Sequence, residues 1–349
     1  MRVASVASAF PAQYYEQDLI MGALKRRWEG RLDRPERLER LRRRAGVSGR
    51  HLALPLESYD RLTTWGEANG EWFLAAEDLG GRALSRALDE AGVRPDSLHA
   101  LFVVSITGIA SPSLDARLIN RLGLNRHLKR LPVFGLGCVG GAAGLARAAD
   151  YVRARPAESA ALLAVELCSL TFRPDDVSVA NQIGAILFGD GAAAVVVTGE
   201  GLPAGGPSIV DTRSVFYPDT EGVMGWDISE RGFRIVLTPG VADIVKRYLA
   251  DDVDAFLEAH GLERGDIGSW VVHPGGPRVL EAIQTALDLP ATALEASWEC
   301  LRRIGNASSV SVLLVLEDVL KRRRPPPGTW GLLAALGPGF CSELVLLRW

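Results

Sequence analysis

The sequence predicts an α/β protein built from two duplicated halves. Apolar strand-like runs alternate with amphipathic helical segments along the chain, which is typical of sheets whose faces are covered by helices. The stretch AGVRPDSLHALFVV (91–104) matches HGLERGDIGSWVVH (260–273) at a constant offset of 169 residues. At an offset of 168 residues, Cys138 corresponds to Asn306, and each follows a glycine and precedes a helix-like segment. One structural unit therefore occurs twice.

The first half opens with a strand that ends at Pro11. Charged helical segments follow over 17–45, and apolar residues at helical spacing predict a helix over 81–92 that Gly92 ends. The remaining predicted elements of this half are strands over 98–105, 131–137, 161–167 and 192–198 and a small-residue helix after Cys138.

The segment GLPAGGP (201–207) has the composition of a linker. Because a single core rarely grows beyond ~250–300 residues, we expect two fused units. The N-terminal half, 1–207, carries Cys138, and the C-terminal half, 208–349, carries His273 and Asn306. The predicted elements of the second half are a strand from 208, a helix over 239–260, a strand over 269–273, a helix beginning near Asn306 and two strands after the PPPG break at 325–328.

The composition excludes several classes of protein. A net charge of −3 over 349 residues gives no basic surface for nucleic acid, and no stretch approaches the ~20 apolar residues of a membrane span. The N-terminus lacks the long apolar core of an export signal. We therefore expect a cytoplasmic protein, which also suits four cysteines without a CxxC pair: Cys138, Cys168, Cys300 and Cys341.

Cys138 is the candidate nucleophile. It follows a predicted strand and opens a glycine-rich helix, where unpaired N–H groups and the helix dipole are expected to lower the pKa of a thiol. The neighbouring glycines let an acyl chain approach the backbone. An isolated cysteine is usually a structural core residue, but this strand-to-helix position favours a nucleophile.

His273 and Asn306 are candidate partners of that thiol. His273 ends a strand at VVHPGGP, where Pro274 stops the strand and the following glycines form a turn. A buried structural histidine is the alternative, although a Cys–His pair is the usual arrangement for an activated thiolate. Asn306 could equally be a helix N-cap or a hydrogen-bond donor to an oxyanion or enolate.

With these three residues in place, the sequence resembles the thiolase-fold condensing enzymes, and most of all the type III polyketide synthases of the chalcone synthase family. The resemblance covers nearly the whole chain. It rests on the motifs TGIASPSLDARL (107–118), GLGCVGG (135–141), LFGDGAAAVVV (187–197), VVHPGGPRVL (271–280), IGNASSVSVL (304–313) and LGPGF (336–340).

The resemblance implies a five-layer αβαβα thiolase-like fold, a homodimer, and repeated extension of an acyl-CoA starter with malonyl-CoA. Cys138 would carry the acyl group, while His273 and Asn306 would polarise the malonyl thioester during decarboxylation. No metal or redox cofactor is implied, since CoA thioesters are the only reactants.

The resemblance also implies roles outside this triad. Phe188 corresponds to an aromatic gate between the CoA tunnel and the cavity, with a core phenylalanine as the alternative. Thr171 corresponds to a cavity-lining position, and Ser111 to the site where a residue of the partner subunit enters the neighbouring cavity. Arg40 and Arg44 are the counterparts of basic residues that meet the CoA phosphates.

Three positions depart from the family pattern. Ile235 replaces a second gatekeeping phenylalanine, Trp226 replaces a small cavity-lining glycine, and Ile106 replaces a threonine that helps to switch the mode of cyclisation. Glu166 and Ser308 are kept at two related positions. Cavity shape is therefore not inherited from the family, and aldol ring closure is in doubt.

The motifs look most like bacterial members that take fatty acyl starters and release alkylpyrones or alkylresorcinols, and we favour the pyrone. Two alternatives are a ketoacyl synthase III-type condensing enzyme with acyl carrier protein substrates, and a non-catalytic partner subunit.

Overall fold

The computed structural model describes all residues from Met1 to Trp349. Its strands are β1 (Arg2–Ala9), β2 (Gln13–Glu16), β3 (Gly49–Leu52), β4 (Ala100–Val104), β5 (Lys129–Val133), β6 (Ser159–Leu167), β7 (Asp190–Thr198), β8 (Ser208–Phe216), β9 (Met224–Ser229), β10 (Gly232–Leu237), β11 (Ile267–Val272), β12 (Trp330–Gly337) and β13 (Cys341–Arg348). Its helices are α1 (Gln17–Arg27), α2 (Pro35–Ala45), α3 (Trp65–Ala91), α4 (Leu114–Leu122), α5 (Gly140–Ala154), α6 (Val179–Leu187), α7 (Gly240–Glu258), α8 (Pro277–Ala286), α9 (Glu295–Ile304) and α10 (Ser309–Arg322). None of these helices combines the length and apolarity needed to cross a membrane.

The strand topology repeats and confirms the duplicated α/β fold. In the first half the order is β5-β4-β6-β7-β1, with β4 parallel to β6 and antiparallel pairing from β6 through β7 to β1. In the second half β11-β12-β13-β8 repeats the order and directions of β4-β6-β7-β1, and β5 has no counterpart. The halves meet where β1 and β8 share the single pair Arg2 and Ser208.

Three apolar clusters lie between the five layers of the fold. Helix α3 packs on one face of the first half's strands, which form the first sheet, and α7 and α8 pack on the outer face of the second half's strands, which form the second sheet. Helices α5 and α10 lie between the sheets and contact strands of both. Because successive strand residues point to opposite faces, β11 sends Val271 into the central cluster and Val272 into the outer one. The thiolase-like layering follows from this alternation.

The central helices approach each other closely where glycine removes the side chain. A Cβ at Gly141 on α5 would lie 2.1 Å from the carbonyl oxygen of Ser309, which opens α10. No side chain fits at that distance. The contact brings together the N-terminal ends of the two duplicated helices, and with them the segments that carry Cys138 and Asn306.

The element boundaries differ from prediction mainly in α3 and β5. Helix α3 begins at Trp65, well before the predicted start at 81, because Thr64 and Glu67 form a reciprocal capping box. Gly92 adopts a left-handed conformation and ends this helix as expected. Strand β5 stops at Val133, and the chain then turns toward Cys138.

Candidate active site

The structure buries the three candidate residues at the ends of secondary-structure elements. Cys138 lies in the turn Gly137–Val139 before α5, His273 follows β11, and Asn306 lies between α9 and α10. Their exposed fractions are 6%, 2% and 1%. Gly137 has φ +52°, and a Cβ there would lie 2.8 Å from Pro338, so glycine is required at this turn.

Asn306 links the cysteine to the loop that follows the histidine. Its Nδ2 lies 3.9 Å from Cys138 Sγ and donates to the carbonyl oxygen of Gly275 at 3.1 Å. Its Oδ1 accepts from the Ser308 N–H at 2.8 Å. The orientation of the amide is fixed by these contacts, and its N–H groups face the thiol side of the site.

Burial favours the neutral forms of both the thiol and the imidazole. It raises the pKa of Cys138 to about 11, although hydrogen bonds from Ser308 and Asn306 oppose the shift, and it lowers the pKa of His273 to about 3. The expectation of a lowered thiol pKa is therefore wrong for this site, because desolvation of the buried sulfur is the largest influence on the pKa of Cys138 and raises it.

The ring of His273 carries no hydrogen bond from the rest of the chain. Neither Nδ1 nor Nε2 has a partner, although both atoms are buried. Buried polar atoms are usually paired, so both ring nitrogens of His273 are available to a molecule that enters the site. A neutral ring offers one N–H donor and one acceptor.

A buried carboxylic acid, Glu166, lies behind the cysteine. Its Oε2 accepts from the Ile106 N–H at 3.1 Å and from the Thr107 hydroxyl at 2.8 Å, and its Oε1 accepts from the Ser309 hydroxyl. Burial raises the pKa of Glu166 to about 7 despite these donors. Glu166 thus ties the loop after β4 to the start of α10.

Two adjoining cavities lie on the accessible side of Cys138. The smaller is about 40 Å³ and is lined by Ile106, Cys138, Ser308 and Pro338, among others. The larger is about 780 Å³ and extends between α1, α6 and the turn that holds Thr171. Four residues line both: Cys168, Phe188, Trp226 and Ile235. These side chains separate the thiol chamber from the larger space.

The other predicted contacts lie farther away. Ser111 is exposed in the loop between β4 and α4. Arg40 and Arg44 are exposed on α2 and line neither cavity. The arginines that line the larger cavity are Arg26, Arg27 and Arg50.

Sequence reasoning missed Cys168 and Arg50. Cys168 directly follows the predicted strand 161–167, which apart from Glu166 looks like any buried core segment, and Arg50 stands in a short strand with no motif around it. Neither has a local signal, because each reaches the site through contacts distant in sequence.

Comparison with known proteins covers the whole chain. The family model for the N-terminal domain of chalcone and stilbene synthases matches residues 3–201, and that for their C-terminal domain matches residues 208–349. The 1,3,6,8-tetrahydroxynaphthalene synthase of Streptomyces peucetius subsp. caesius is 52% identical over 99% of this chain and 93% of its own length. A putative chalcone synthase of Bacillus subtilis (strain 168) is 34% identical over 99% and 98%.

Comparison with solved structures points to the same family as the sequence comparisons. The crystal structure of 1,3,6,8-tetrahydroxynaphthalene synthase from Streptomyces coelicolor A3(2), a bacterial type III polyketide synthase, superposes with a TM-score of 0.95 at 30% identity. The superposition covers 100% of this chain and 99% of that one.

Proposed function

Because this chain belongs to the chalcone and stilbene synthase family and is a type III polyketide synthase, we propose that Cys138 carries its acyl intermediates while malonyl-CoA supplies each extension. The observation that carries the proposal is the buried Asn306 amide, which joins Cys138 to the loop after His273. A helix N-cap role alone would not require an Nδ2 facing a thiol.

The chemistry proceeds in three steps. His273 accepts the Cys138 proton as the sulfur attacks the starter thioester, and CoA leaves as its thiol after taking a proton. A malonyl thioester oxygen then receives hydrogen bonds from Asn306 Nδ2 and from the neutral His273 ring, so that loss of CO₂ leaves a stabilised enolate. The enolate carbon attacks the Cys138 thioester and releases the sulfur. Decarboxylation itself supplies the carbanion, so the proposed cycle requires no metal or redox cofactor.

For the product we propose a hydroxylated aromatic made from malonyl units, in place of the pyrone that the motifs favoured. This product requires carbon–carbon ring closure, although Ile106 replaces the family's threonine. The 52% identical relative bears the name of a tetrahydroxynaphthalene synthase, and its product has oxygens that alternate along the carbon skeleton, as repeated two-carbon addition requires. The small chamber at Cys138 supports the same assignment, because Trp226 and Ile235 narrow the space available to a starter. Malonyl itself is then the simplest starter.

A second candidate is the predicted alkylpyrone or alkylresorcinol synthase with a fatty acyl starter. The adjoining cavity of about 780 Å³ favours it, because apolar residues such as Leu24, Leu52 and Phe172 make up much of the wall. An acyl chain that passed Phe188 and Trp226 could lie there.

A homodimer is proposed from the exposed edge of the first sheet. Strand β5 has a partner on one side only, and Leu131 and Phe134 beside that edge are 46% and 47% exposed. Open sheet edges with exposed apolar side chains are usually covered. Ser111 lies in the loop next to this strand, in keeping with the role predicted for it at the neighbouring subunit.

The CoA contact at Arg40 and Arg44 is likewise proposed. Both guanidinium groups lie on the exposed face of α2 and make no ion pair within the chain, so they are free to meet phosphates.

The test is to incubate the purified protein with malonyl-CoA alone and then with acyl-CoAs of graded length, reading products by mass spectrometry. We expect a hydroxylated aromatic from malonyl-CoA alone, and no product from Cys138→Ala. Pyrones formed only with long acyl-CoAs would favour the second candidate. Turnover that required an acyl carrier protein would contradict both.

A further inference from the structure

Arg50 lies beneath the segment that carries Phe188, and the mechanism above does not use it. It stands on β3 and is 1% exposed. Its Nη1 donates to the carbonyl oxygen of Phe188 at 2.8 Å, and its Nη2 donates to that of Ala185 at 2.6 Å. The guanidinium fork therefore holds two carbonyl groups at the C-terminal end of α6.

The Ala185 carbonyl lacks its usual helical donor because the helix does not continue after α6. In a continuing helix, the Gly189 N–H would bond to the Ala185 oxygen. Here it donates instead to the Asn306 oxygen at 3.0 Å, while the Asn306 N–H donates to the Leu187 oxygen at 2.9 Å. Arg50 replaces the helical donor that the bridge to Asn306 has taken away. A cation is also favoured at a helix C-terminus.

The aliphatic stem of Arg50 packs under the same bridge. A Cβ at Gly189 would lie 3.4 Å from Arg50 Cβ, and a Cβ at Gly305 would lie 3.4 Å from Arg50 Cδ. Burial lowers the pKa of Arg50 to about 10 and Asp190 opposes the shift, so the guanidinium stays charged at neutral pH. A charged fork with two fixed acceptors makes a rigid support.

We propose that Arg50 is a positioning residue, which places the Asn306 amide and the Phe188 ring by holding the end of α6. The inference rests on the catalytic role proposed for Asn306. Displacement of a reacting group by about 1 Å can lower a rate by about a hundredfold. Lysine keeps the charge but presents a single nitrogen in place of the fork, so it cannot reproduce both hydrogen bonds.

The experiment measures malonyl-CoA decarboxylation by the wild type, R50K, N306A and the double variant. We expect R50K to lower kcat by about tenfold to a hundredfold with little change in KM, and N306A to lower it by about a hundredfold. If Arg50 acts through Asn306, R50K causes no further loss in the N306A background.

Two controls separate positioning from folding. Rates are divided by the amount of Cys138 that an acyl-CoA acylates in a single turnover, so that unfolded molecules are not counted. Arg213→Lys changes an arginine that packs on the Phe256 ring at 4.9 Å, away from the site, and should keep the wild-type rate. If R50K does not fold, Arg50→Gln, which keeps an amide donor for one carbonyl, replaces it in the same cycle.

The inference would be overturned if the two substitutions lowered kcat independently, so that their losses multiplied in the double variant. It would also be overturned if R50K kept the wild-type rate while N306A was impaired. An unimpaired N306A would overturn the role of Asn306 and the inference together. A wild type that does not decarboxylate malonyl-CoA would contradict the proposed function itself.

Discussion

Replacement of Trp226 by alanine should lengthen the acyl starters that the enzyme accepts. Trp226 on β9 pairs in register with Ile235 on β10, and both residues line the thiol chamber and the larger cavity. Removal of the indole opens a chamber of about 40 Å³ to a space of about 780 Å³. A chain that could not extend beyond Trp226 would then have an apolar surface to lie on.

The magnitude follows from the burial of methylene groups. Each buried CH₂ contributes about 0.8 kcal/mol, and about 1.4 kcal/mol is tenfold in kcat/KM. The variant should therefore gain up to about tenfold in kcat/KM for every two methylenes added to the starter, until the cavity is filled. The wild type should show little gain with chain length.

The assay is kcat/KM for starter acyl-CoAs of graded length at fixed malonyl-CoA, with Trp226→Phe as the matched control. Phenylalanine keeps an aromatic wall, so its profile should stay close to that of the wild type. A W226A profile as flat as that of the wild type would show that Trp226 does not separate the cavities. A wild type that already prefers long chains would refute the reasoning as well.

Three further predictions follow from the burial and packing of particular residues. Burial raises the pKa of Glu166 from 4.5 to about 7, so the folded state binds the Glu166 proton more tightly than the unfolded state. The free energy of unfolding should therefore fall by about 3 kcal/mol as pH rises from about 4.5 to 7. Urea unfolding of wild type and E166Q at pH 5 and pH 7.5 checks this, and an equal change in both proteins would contradict it. Gly141→Ala forces a Cβ against the Ser309 carbonyl and should cost about 3 kcal/mol in the same measurement, so wild-type stability would refute the close helix contact. Leu131→Asp places a charge beside the exposed edge of β5 and should give a monomer in sedimentation velocity if that edge is the subunit interface, whereas an intact dimer would place the interface elsewhere.

Much of this protein could be predicted from the order of its residues. The alternation of strands and helices, the repeat at an offset of 169 residues and the glycines beside Cys138 depend on neighbours along the chain, so they are visible in the sequence. The duplication also relates Cys138 to Asn306 along the chain, and the structure places these two side chains in contact. The division at residue 207 and the catalytic roles stay predictions.

Only the tertiary structure decided the protonation of the site and the shape of its cavities. The thiol pKa depends on how completely the fold removes water around Cys138, and a helix-start pattern carries no measure of that desolvation. The wall formed by Trp226 and Ile235 exists because a hairpin from the second half folds over the nucleophile of the first. Arg50 supports Asn306 from 256 positions away in the chain, through backbone carbonyls that any residue could supply. Contacts of this kind depend on distances in space, and the sequence encodes them only through the complete fold.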